Sequence, residues 1–339
     1  MTPDLGAEPG ARPMRARDRR WAYAVQQALA FAVLGGLVLL MFHVTSANLQ
    51  ARGVRSGFAF LHEPARTPVS DAPIAVEAGV DSYGKAFVAG ALNSLKLAAA
   101  TLVAASLAGL AIGLGRLSPN ALARGLCAGY VEVMRNVPVL LHVFFWYGLL
   151  LALPTPAQAA SPGNLLLASN RGIYLAWPAL DASGHWALLR PALDGFEVRA
   201  GVSLSPEFAA LFIGISLYAA AFVAEIVRAA IGSLPNGQWE ATAALGLSRT
   251  TTLWRVVFPQ ALRVAVPPLT SEYVGIFKNS TLAVAIGYQD FMAISTTMLT
   301  DTGQAVEVMA IVMAFYAAVS LLVSGAMHAF GGRDVRWSL

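Results

Sequence analysis

The sequence predicts an all-α membrane protein that crosses the bilayer six times. Only 12% of its 339 residues are charged and 57% are hydrophobic, with a mean hydropathy of +0.60. Soluble domains carry roughly 25% charged residues, so this composition favours a lipid environment. Six apolar stretches also reach the length of about 20 residues that a spanning helix needs. The single cysteine, Cys127, excludes an internal disulfide and a cysteine-based zinc site, and we expect it to be a small packing residue.

The predicted transmembrane helices occupy residues 21–42, 87–114, 126–153, 208–231, 262–286 and 305–330. Core helices of a soluble protein are the alternative, but the lengths of the stretches and their scarcity of charge argue against it. The first stretch follows a basic tail and precedes small residues, so it also resembles a secretory signal. Because five further spans follow it, we expect an uncleaved N-terminal anchor.

The distribution of basic residues predicts the side of the membrane on which each loop lies. With a cytoplasmic N-terminus, 13 of the 23 Lys and Arg residues lie inside, seven lie outside and three lie within spans. Basic residues concentrate on the cytoplasmic side for topological reasons, so both termini are predicted inside and no nucleic acid partner is implied. The inner parts are the tails 1–20 and 331–339, the first loop with Arg116 and Arg124, and the loop 232–260 with the adjoining Arg228 and Arg263. The outer parts are 43–86 and 154–207. The outer parts lack a sustained periodic pattern, so we expect irregular or lightly structured caps.

A near match to a nucleotide-binding motif lies at residues 79–86, "GVDSYGKA". It departs from the phosphate-binding loop because Ala86 replaces the hydroxyl residue that holds magnesium. No predicted strand precedes it, and the predicted orientation places it outside, away from ATP. The sequence also lacks zinc-protease and nucleophile-elbow patterns. We therefore predict no catalytic residue, no metal site and no enzyme activity in this chain.

The inner loop has the pattern of a helix, a sharp turn and a second helix. Asn236 is placed to cap the first helix, Gly246 can supply its left-handed ending, and Ser248 can cap the second helix. Pro259 either ends that second helix or begins the next one. The pair is too small to fold alone, so another surface must cover its apolar side. It either lies on the inner membrane surface or docks on a cytoplasmic partner. The apolar residues are Trp239, Leu245, Leu247, Leu253 and Trp254.

The same loop resembles the "EAA" loop of ABC-importer permeases. That motif has E-A-A, three residues, Gly, nine residues, an aliphatic residue, one residue, Leu and Pro. The chain has, at those spacings, Glu240, Ala241, Thr242, Gly246, Val256, Phe258 and Pro259. Thr242 in place of alanine and Phe258 in place of leucine are mild departures, since each keeps a small or apolar character.

The resemblance extends over residues 47–330. Residues 130–147, 218–231 and 259–288 are similar to permeases of the polar amino acid uptake family. Residues 47–61 and 169–180 are similar to the longer permease type of the general L-amino acid transporter. The outer insertion is short for that subgroup, which leaves the substrate range open.

The resemblance implies a type I ABC-importer transmembrane fold over residues 87–330, with an extra N-terminal span. It places the chain in a bacterial inner membrane, paired with a second, related permease subunit. Two ATPase subunits would dock on the inner loops, and a periplasmic binding protein would deliver the amino acid. ATP and magnesium would bind only in the partner ATPase, so this chain would need no cofactor.

The resemblance also assigns a mechanism to residues 236–259. Closure of the ATPase pair would swing this loop as a rigid lever and tip the spans from inward-open to outward-open. Glu240 and Gly246 would shape the lever, and Ala241 and Thr242 would let it seat closely in the ATPase. The predicted coupling residues are Trp239, Glu240, Ala241, Thr242, Gly246 and Pro259.

Polar residues within the spans are candidates for a substrate path, because ionisable groups at bilayer depth are expensive. Glu272, Gly275 and Asn279 share one face of the fifth helix. The run "KNST" that includes Asn279 offers a cation, an amide and two hydroxyls, which suit the polar ends of an amino acid. Hydrogen bonds to a partner subunit are the alternative role. The candidate path residues are Asn93, Glu272, Lys278, Asn279, Ser280 and Thr281.

Two charged pairs at i, i+3 spacing predict a structural collar near the inner interface. Glu132 can bridge Arg135 on the third span, and Glu225 can bridge Arg228 on the fourth. Pro138 is expected to kink the third span just above its pair and to act as a hinge.

Two further features of the second span are predicted to be structural. Lys96 lies one turn after Asn93 and is expected to extend outward along its stem toward the interface. Gly109 and Gly113 have the spacing of a tight helix contact.

Taken together, these features favour the permease subunit of a binding-protein-dependent importer of L-amino acids. A self-contained secondary transporter or channel is the alternative, but it leaves the inner loop without a purpose, and inverted repeats are not evident. A membrane enzyme or sensory anchor would need a nucleophile, a metal cluster or a signalling domain.

Overall fold

The computed structural model describes residues 16–335, apart from 52–56, 70, 160, 162, 164, 181–183, 195–196 and 200. Most of the predicted tails, 1–15 and 336–339, lies outside the described residues. The chain divides into two compact units, one that ends at Gly57 and one that begins at Phe58. The described part of the first unit is a single helix, α1 (Ala16–Ala51). Its apolar section Val25–Thr45 has the length and hydropathy of a membrane span, and its described side chains are largely exposed.

The second unit is mainly helical. Its helices are α2 (Tyr83–Gly115), α3 (Ala121–Asn136), α4 (Val139–Leu151), α5 (Pro206–Gly232), α6 (Asn236–Ala244), α7 (Arg249–Thr252), α8 (Phe258–Asn279), α9 (Phe291–Thr302) and α10 (Ala305–Val335). Among the described residues, α1, α2, α5 and α10 are each long and apolar enough to cross a membrane alone. Two bent pairs raise the number of candidate spans to six, which agrees with the predicted fold class.

The third predicted span is broken rather than kinked. Helices α3 and α4 meet at an angle of 102°. Val137 is extended between them (φ −101°, ψ 130°), because a residue before proline is disfavoured in the helical region. Pro138 then begins α4 as its N-cap. The sequence places the bend at the right residue but underestimates the change of direction, and the hinge role of Pro138 stays a prediction.

The fifth predicted span is longer than the sequence suggests. A π-helical turn (Leu253–Val257) joins α7 to α8, and a 3₁₀ turn (Ser280–Ile286) extends α8. The second helix of the inner loop is therefore the inner end of this span. Beyond Gly287 the chain bends by 52° into α9, a helix that the sequence analysis does not predict.

The outer insertion contains short antiparallel strands, which agrees with the lightly structured alternative of the predicted cap. Strands of three or four residues are too short to give a periodic signal in the sequence. One sheet has the order β1 (Leu166–Ser169), β2 (Gly172–Leu175), β7 (Val202–Leu204), and two hairpins pair β3 (Trp177–Leu180) with β4 (Trp186–Leu189) and β5 (Ala192–Asp194) with β6 (Glu197–Arg199). Ile173 and Leu204 pack against the apolar cluster at the outer ends of α4 and α5.

The centre of the second unit is the contact between α2 and α5. A Cβ added to Gly109 would lie 2.5 Å from Cβ of Val223, and one added to Gly113 would lie 2.8 Å from the carbonyl oxygen of Ala224. The predicted tight contact at these two glycines is therefore present. Cys127 also packs as predicted, with its Sγ against Gly115.

Candidate functional site

The first helix of the inner loop, α6, begins differently from the prediction. Pro235 is the N-cap, with an extended backbone (φ −58°, ψ 137°) that suits the proline ring. Asn236 is the first helical residue, and no side chain caps the helix. The predicted Asn236 cap is wrong, because the helix begins directly after Pro235.

The end of α6 follows the prediction. Gly246 is left-handed, with φ of +74°. Its N–H donates to the carbonyl of Ala243 (2.9 Å), and the N–H of Leu247 donates to that of Thr242 (3.0 Å). These two bonds form a Schellman ending, which satisfies two of the last carbonyls of the helix. No atom lies within 4 Å of where a Cβ of Gly246 would be, so backbone conformation alone requires glycine.

The start of the second helix also follows the prediction. The hydroxyl of Ser248 accepts a hydrogen bond from the N–H of Thr251 (3.2 Å). Pro259 does not end this helix but lies in the first turn of α8. A proline lacks the N–H of a normal helical bond and crowds the preceding turn. The π-helical turn just before it, closed by the N–H of Phe258 on the carbonyl of Leu253, widens the helix at that place.

One side of α6 faces the rest of the protein. Trp239 packs on the apolar cluster that contains Ile231 of α5 and Val257 of the π-helical turn. Thr242 is 5% exposed, and its hydroxyl lies 3.0 Å from the backbone carbonyls of Gln238 and Trp239. Thr242 is thus mostly buried but still lines the cleft between α6 and α7, and its role in seating the ATPase stays a prediction.

The other side of α6 is open. Glu240 and Ala241 are exposed, and Leu245 is 78% exposed. Leu247 and Trp254 are also exposed, and a cleft of about 570 Å³ lies between α6 and α7. Helix α6 thus has one apolar side that is exposed, and its opposite side packs on the rest of the protein through Trp239. We call this element, residues 236–259, the handle.

The candidate path residues do not form one site. Glu272, Gly275 and Asn279 lie on a partly exposed face of α8, and no atom lies within 4 Å of where a Cβ of Gly275 would be. Glu272 makes no hydrogen bond or ion pair with any residue that the structure describes. Lys278 is exposed, and the hydroxyl of Thr281 donates to its carbonyl (2.8 Å).

Asn93 and Ser280 are fully buried instead. The amide nitrogen of Asn93 donates to the carbonyl of Gln289 (2.9 Å), at the bend that leads into α9. At the same bend Ser94 accepts from the N–H of Phe291 (3.0 Å), and its hydroxyl is 3.4 Å from the carboxylate of Asp290. Asp290 is a buried residue that the sequence analysis missed, although an acidic residue before an apolar run is a usual helix cap. Here it caps α9 through the N–H of Ala293 (2.8 Å).

The two predicted charge pairs have different outcomes. Glu225 does pair with Arg228 (2.5 Å), and it also binds Arg116 at the end of α2. Glu132 and Arg135 form no ion pair in the described chain. The carboxylate of Glu132 instead accepts from the Asn136 side chain on its own helix (3.1 Å).

The guanidinium of Arg135 lies over the ring of Phe222, 5.1 Å from its centre. A planar cation stacks well on an aromatic face, and this contact with α5 replaces the expected bridge.

A family model described as "Binding-protein-dependent transport system inner membrane component" matches residues 102–336. A putative amino-acid ABC transporter permease protein of Escherichia coli is 39% identical to this chain, over 93% of the chain and 94% of that protein. A general L-amino acid transport system permease protein of Rhizobium johnstonii is 34% identical over 93% of both.

The fold also matches solved structures. A crystal structure of an amino acid ABC transporter with histidines has a TM-score of 0.54 and 24% identity, over 74% of this chain and 95% of that chain. An inward-facing methionine ABC transporter has a TM-score of 0.52 and 17% identity over 74% and 96%. At these identities the likeness concerns the fold alone.

Proposed function

This chain belongs to the family of binding-protein-dependent transport system inner membrane components, and we propose that it is the permease subunit of an ABC importer that carries L-amino acids across the inner membrane. The substrate class is supported by two relatives named for amino-acid transport, each more than 30% identical over nearly the whole chain. The chain itself would hydrolyse nothing.

We further propose the set of partners that this role requires. Two ATPase subunits would bind ATP and magnesium, a second, related permease chain would complete the path, and a periplasmic binding protein would deliver the amino acid. The open face of α8 around Glu272 and Gly275 supports a path at the contact with the second permease. Both termini would lie in the cytoplasm, and no nucleic acid would take part.

The observation that carries the proposal is the construction of the handle. Its exposed side is apolar at Leu245, whereas Trp239 on the opposite side packs on the apolar cluster shared by α5 and the π-helical turn. A force applied to the exposed side would reach two membrane helices at once. We therefore assign the coupling with the ATPase to this element, with Glu240 and Ala241 at the contact and Thr242 in the support behind it.

The test is a variant with Glu240→Lys and Gly246→Val. The charge reversal alters the proposed contact, and valine at φ +74° is strained because its branched Cβ clashes with the backbone. We expect the variant chain to insert in the membrane but to co-purify no ATPase and to support no amino acid uptake.

The matched control is Gly237→Ala, which lies on the same helix in open space with no left-handed backbone. It should leave both co-purification and uptake intact. Normal assembly and uptake in the double variant would remove the coupling role of the handle.

A further inference from the structure

Lys96 extends toward the outer segment, as predicted, and its ammonium lies in a defined site beside the outer end of α5. Its ammonium is 4.9 Å from the ring centre of Phe208 and 6.0 Å from that of Tyr288, so two aromatic faces stabilise the cation. It also lies 4.0 Å from Oδ1 of Asp71, which belongs to the outer segment before α2.

The second oxygen of Asp71 is bound at the start of α5. Ser205, the N-cap of that helix, donates its hydroxyl proton to Oδ2 of Asp71 (2.6 Å). The same hydroxyl accepts a hydrogen bond from the N–H of Phe208 (3.2 Å), which leaves its proton free to be donated. One carboxylate is thus held by an ammonium on one oxygen and by a hydroxyl on the other.

The residue that occupies this site, Asp71, belongs to a short turn of the outer segment. Asp71 lies in the turn between Val69 and Val76, whose backbones are bridged by two hydrogen bonds of 3.0 Å. The backbone bonds that close this turn are separate from the bonds of the Asp71 side chain. The Lys96 and Asp71 side chains remain 37% and 39% exposed, and an ion pair of that exposure contributes little to stability. A competing carboxylate could displace it.

We propose that Lys96 and Ser205, with the rings of Phe208 and Tyr288, form a carboxylate-binding site at the outer end of the spans. Asp71 fills this site as an internal stand-in, and the α-carboxylate of an arriving amino acid takes its place. The identity of that ligand rests on the proposed function, whereas the preference of the site for a carboxylate follows from its own groups.

The ligand test measures binding of L-glutamine and its α-amide to the purified complete transporter in nanodiscs, without binding protein. Asp71→Asn keeps an acceptor for Ser205 but removes the competing charge. While Asp71 occupies the site, the apparent affinity for L-glutamine is reduced in proportion to the fraction of molecules in which the site is free. Asp71→Asn should therefore tighten L-glutamine binding by about three- to tenfold. The α-amide should not respond. When Lys96→Met is combined with Asp71→Asn, the gain in affinity for L-glutamine should disappear.

The matched control is Asp81→Asn. Asp81 is a carboxylate of the same outer segment, but its partner at 2.8 Å is Lys85, four residues away. It should leave the affinity for L-glutamine unchanged. An unchanged affinity in Asp71→Asn, or an equal gain for the α-amide, would overturn the proposal.

A second test needs no substrate. Asp71→Cys in a Cys127→Ala background places one thiol at the site. Its reaction with an anionic thiosulfonate reagent should be about threefold or more faster than with a cationic one, after normalisation to free cysteine, because the site attracts anions. Lys96→Met should remove the preference. No preference with Lys96 present refutes the site. If Asp71→Cys shows a clear anion preference but the wild-type transporter takes up no amino acid, only the proposed function is refuted.

Discussion

At the scale of residues, the inner end of the bundle depends on one shared carboxylate. Glu225 accepts from both nitrogens of Arg228 that face it, at 2.5 and 3.1 Å, and it also binds Arg116. Arg116 ends α2, so the carboxylate connects two neighbouring spans as well as two turns of its own helix. Charge-assisted hydrogen bonds of this kind are about twice as strong as neutral ones.

Glu225→Gln should lower the thermal stability of the detergent-solubilised protein. The substitution leaves two partly buried guanidinium groups without a counter-ion, and hydrogen bonds to charged groups contribute about 1.5–3 kcal/mol. Because all three side chains remain partly exposed, we expect the lower end of that range. Glu132→Gln is the control, since among the described residues its carboxylate bonds only Asn136, on an exposed surface. Equal unfolding midpoints for the two variants would contradict the bridging role of Glu225.

This cluster also illustrates the limit of sequence reasoning at the residue scale. The spacing of Glu225 and Arg228 predicts their pairing, but the same spacing predicts a Glu132–Arg135 pair that does not form. Spacing states which side chains can meet on one helix, whereas the competing ring of Phe222 is contributed by another. Arg116 is likewise invisible to a local pattern, because it lies 109 positions from Glu225.

At the scale of elements, close packing of α2 on α5 sets the framework that holds the handle and the outer carboxylate site. Gly109 allows this contact because a Cβ would meet the Val223 side chain and would lie 2.9 Å from the carbonyl oxygen of Ala220. Backbone atoms cannot yield as a flexible side chain does, so the two helices would have to separate.

Gly109→Ala should therefore be less stable than Gly129→Ala by about 1–3 kcal/mol, the usual effect of overpacking a core. Gly129→Ala is a matched control, because Gly129 is also helical but has no atom within 4 Å of its added Cβ. Both changes gain the same helix propensity of about 1 kcal/mol, so their difference isolates the packing term. The measurement is the midpoint of thermal unfolding, and an equally stable Gly109→Ala variant would contradict the contact.

The elements themselves differ in how far the sequence determines them. Long apolar runs identify α2, α5 and α10, and the glycine and serine of the inner loop predict the turn at Gly246 and the cap at Ser248. The break at Pro138 was predicted in place but not in angle, because the angle depends on what α3 and α4 pack against. Helix α9 and the short strands were missed because each is too brief or too polar to produce a periodic signal.

At the scale of the whole molecule, the proposed orientation places the handle inside and the outer insertion outside. The positive-inside bias supports it, and the carboxylate site near Lys96 would then open toward the periplasm. Cys127 is the single thiol of the chain, so its replacement gives a background in which one new cysteine can report its side of the membrane.

In a Cys127→Ala background, Leu245→Cys and Leu180→Cys should label from opposite sides. Both side chains are exposed, at 78% and 58%, so access to reagent is limited only by the bilayer. A membrane-impermeant maleimide should modify Leu180→Cys in intact spheroplasts and Leu245→Cys only in inside-out vesicles. Labelling of Leu245→Cys from the periplasmic side would invert the topology and separate the handle from any cytoplasmic ATPase.

The π-helical turn at residues 253–257 has a mechanical consequence. It carries one residue more than an α-helical turn would, within a helix that continues from Arg249 to Asn279. If the wide turn tightened to α-helical bonding, α7 would rotate by about 100° relative to α8, which is the angle that one residue spans in a helix. Docking at the cytoplasmic end would then be transmitted along the fifth span as a screw motion as well as a tilt.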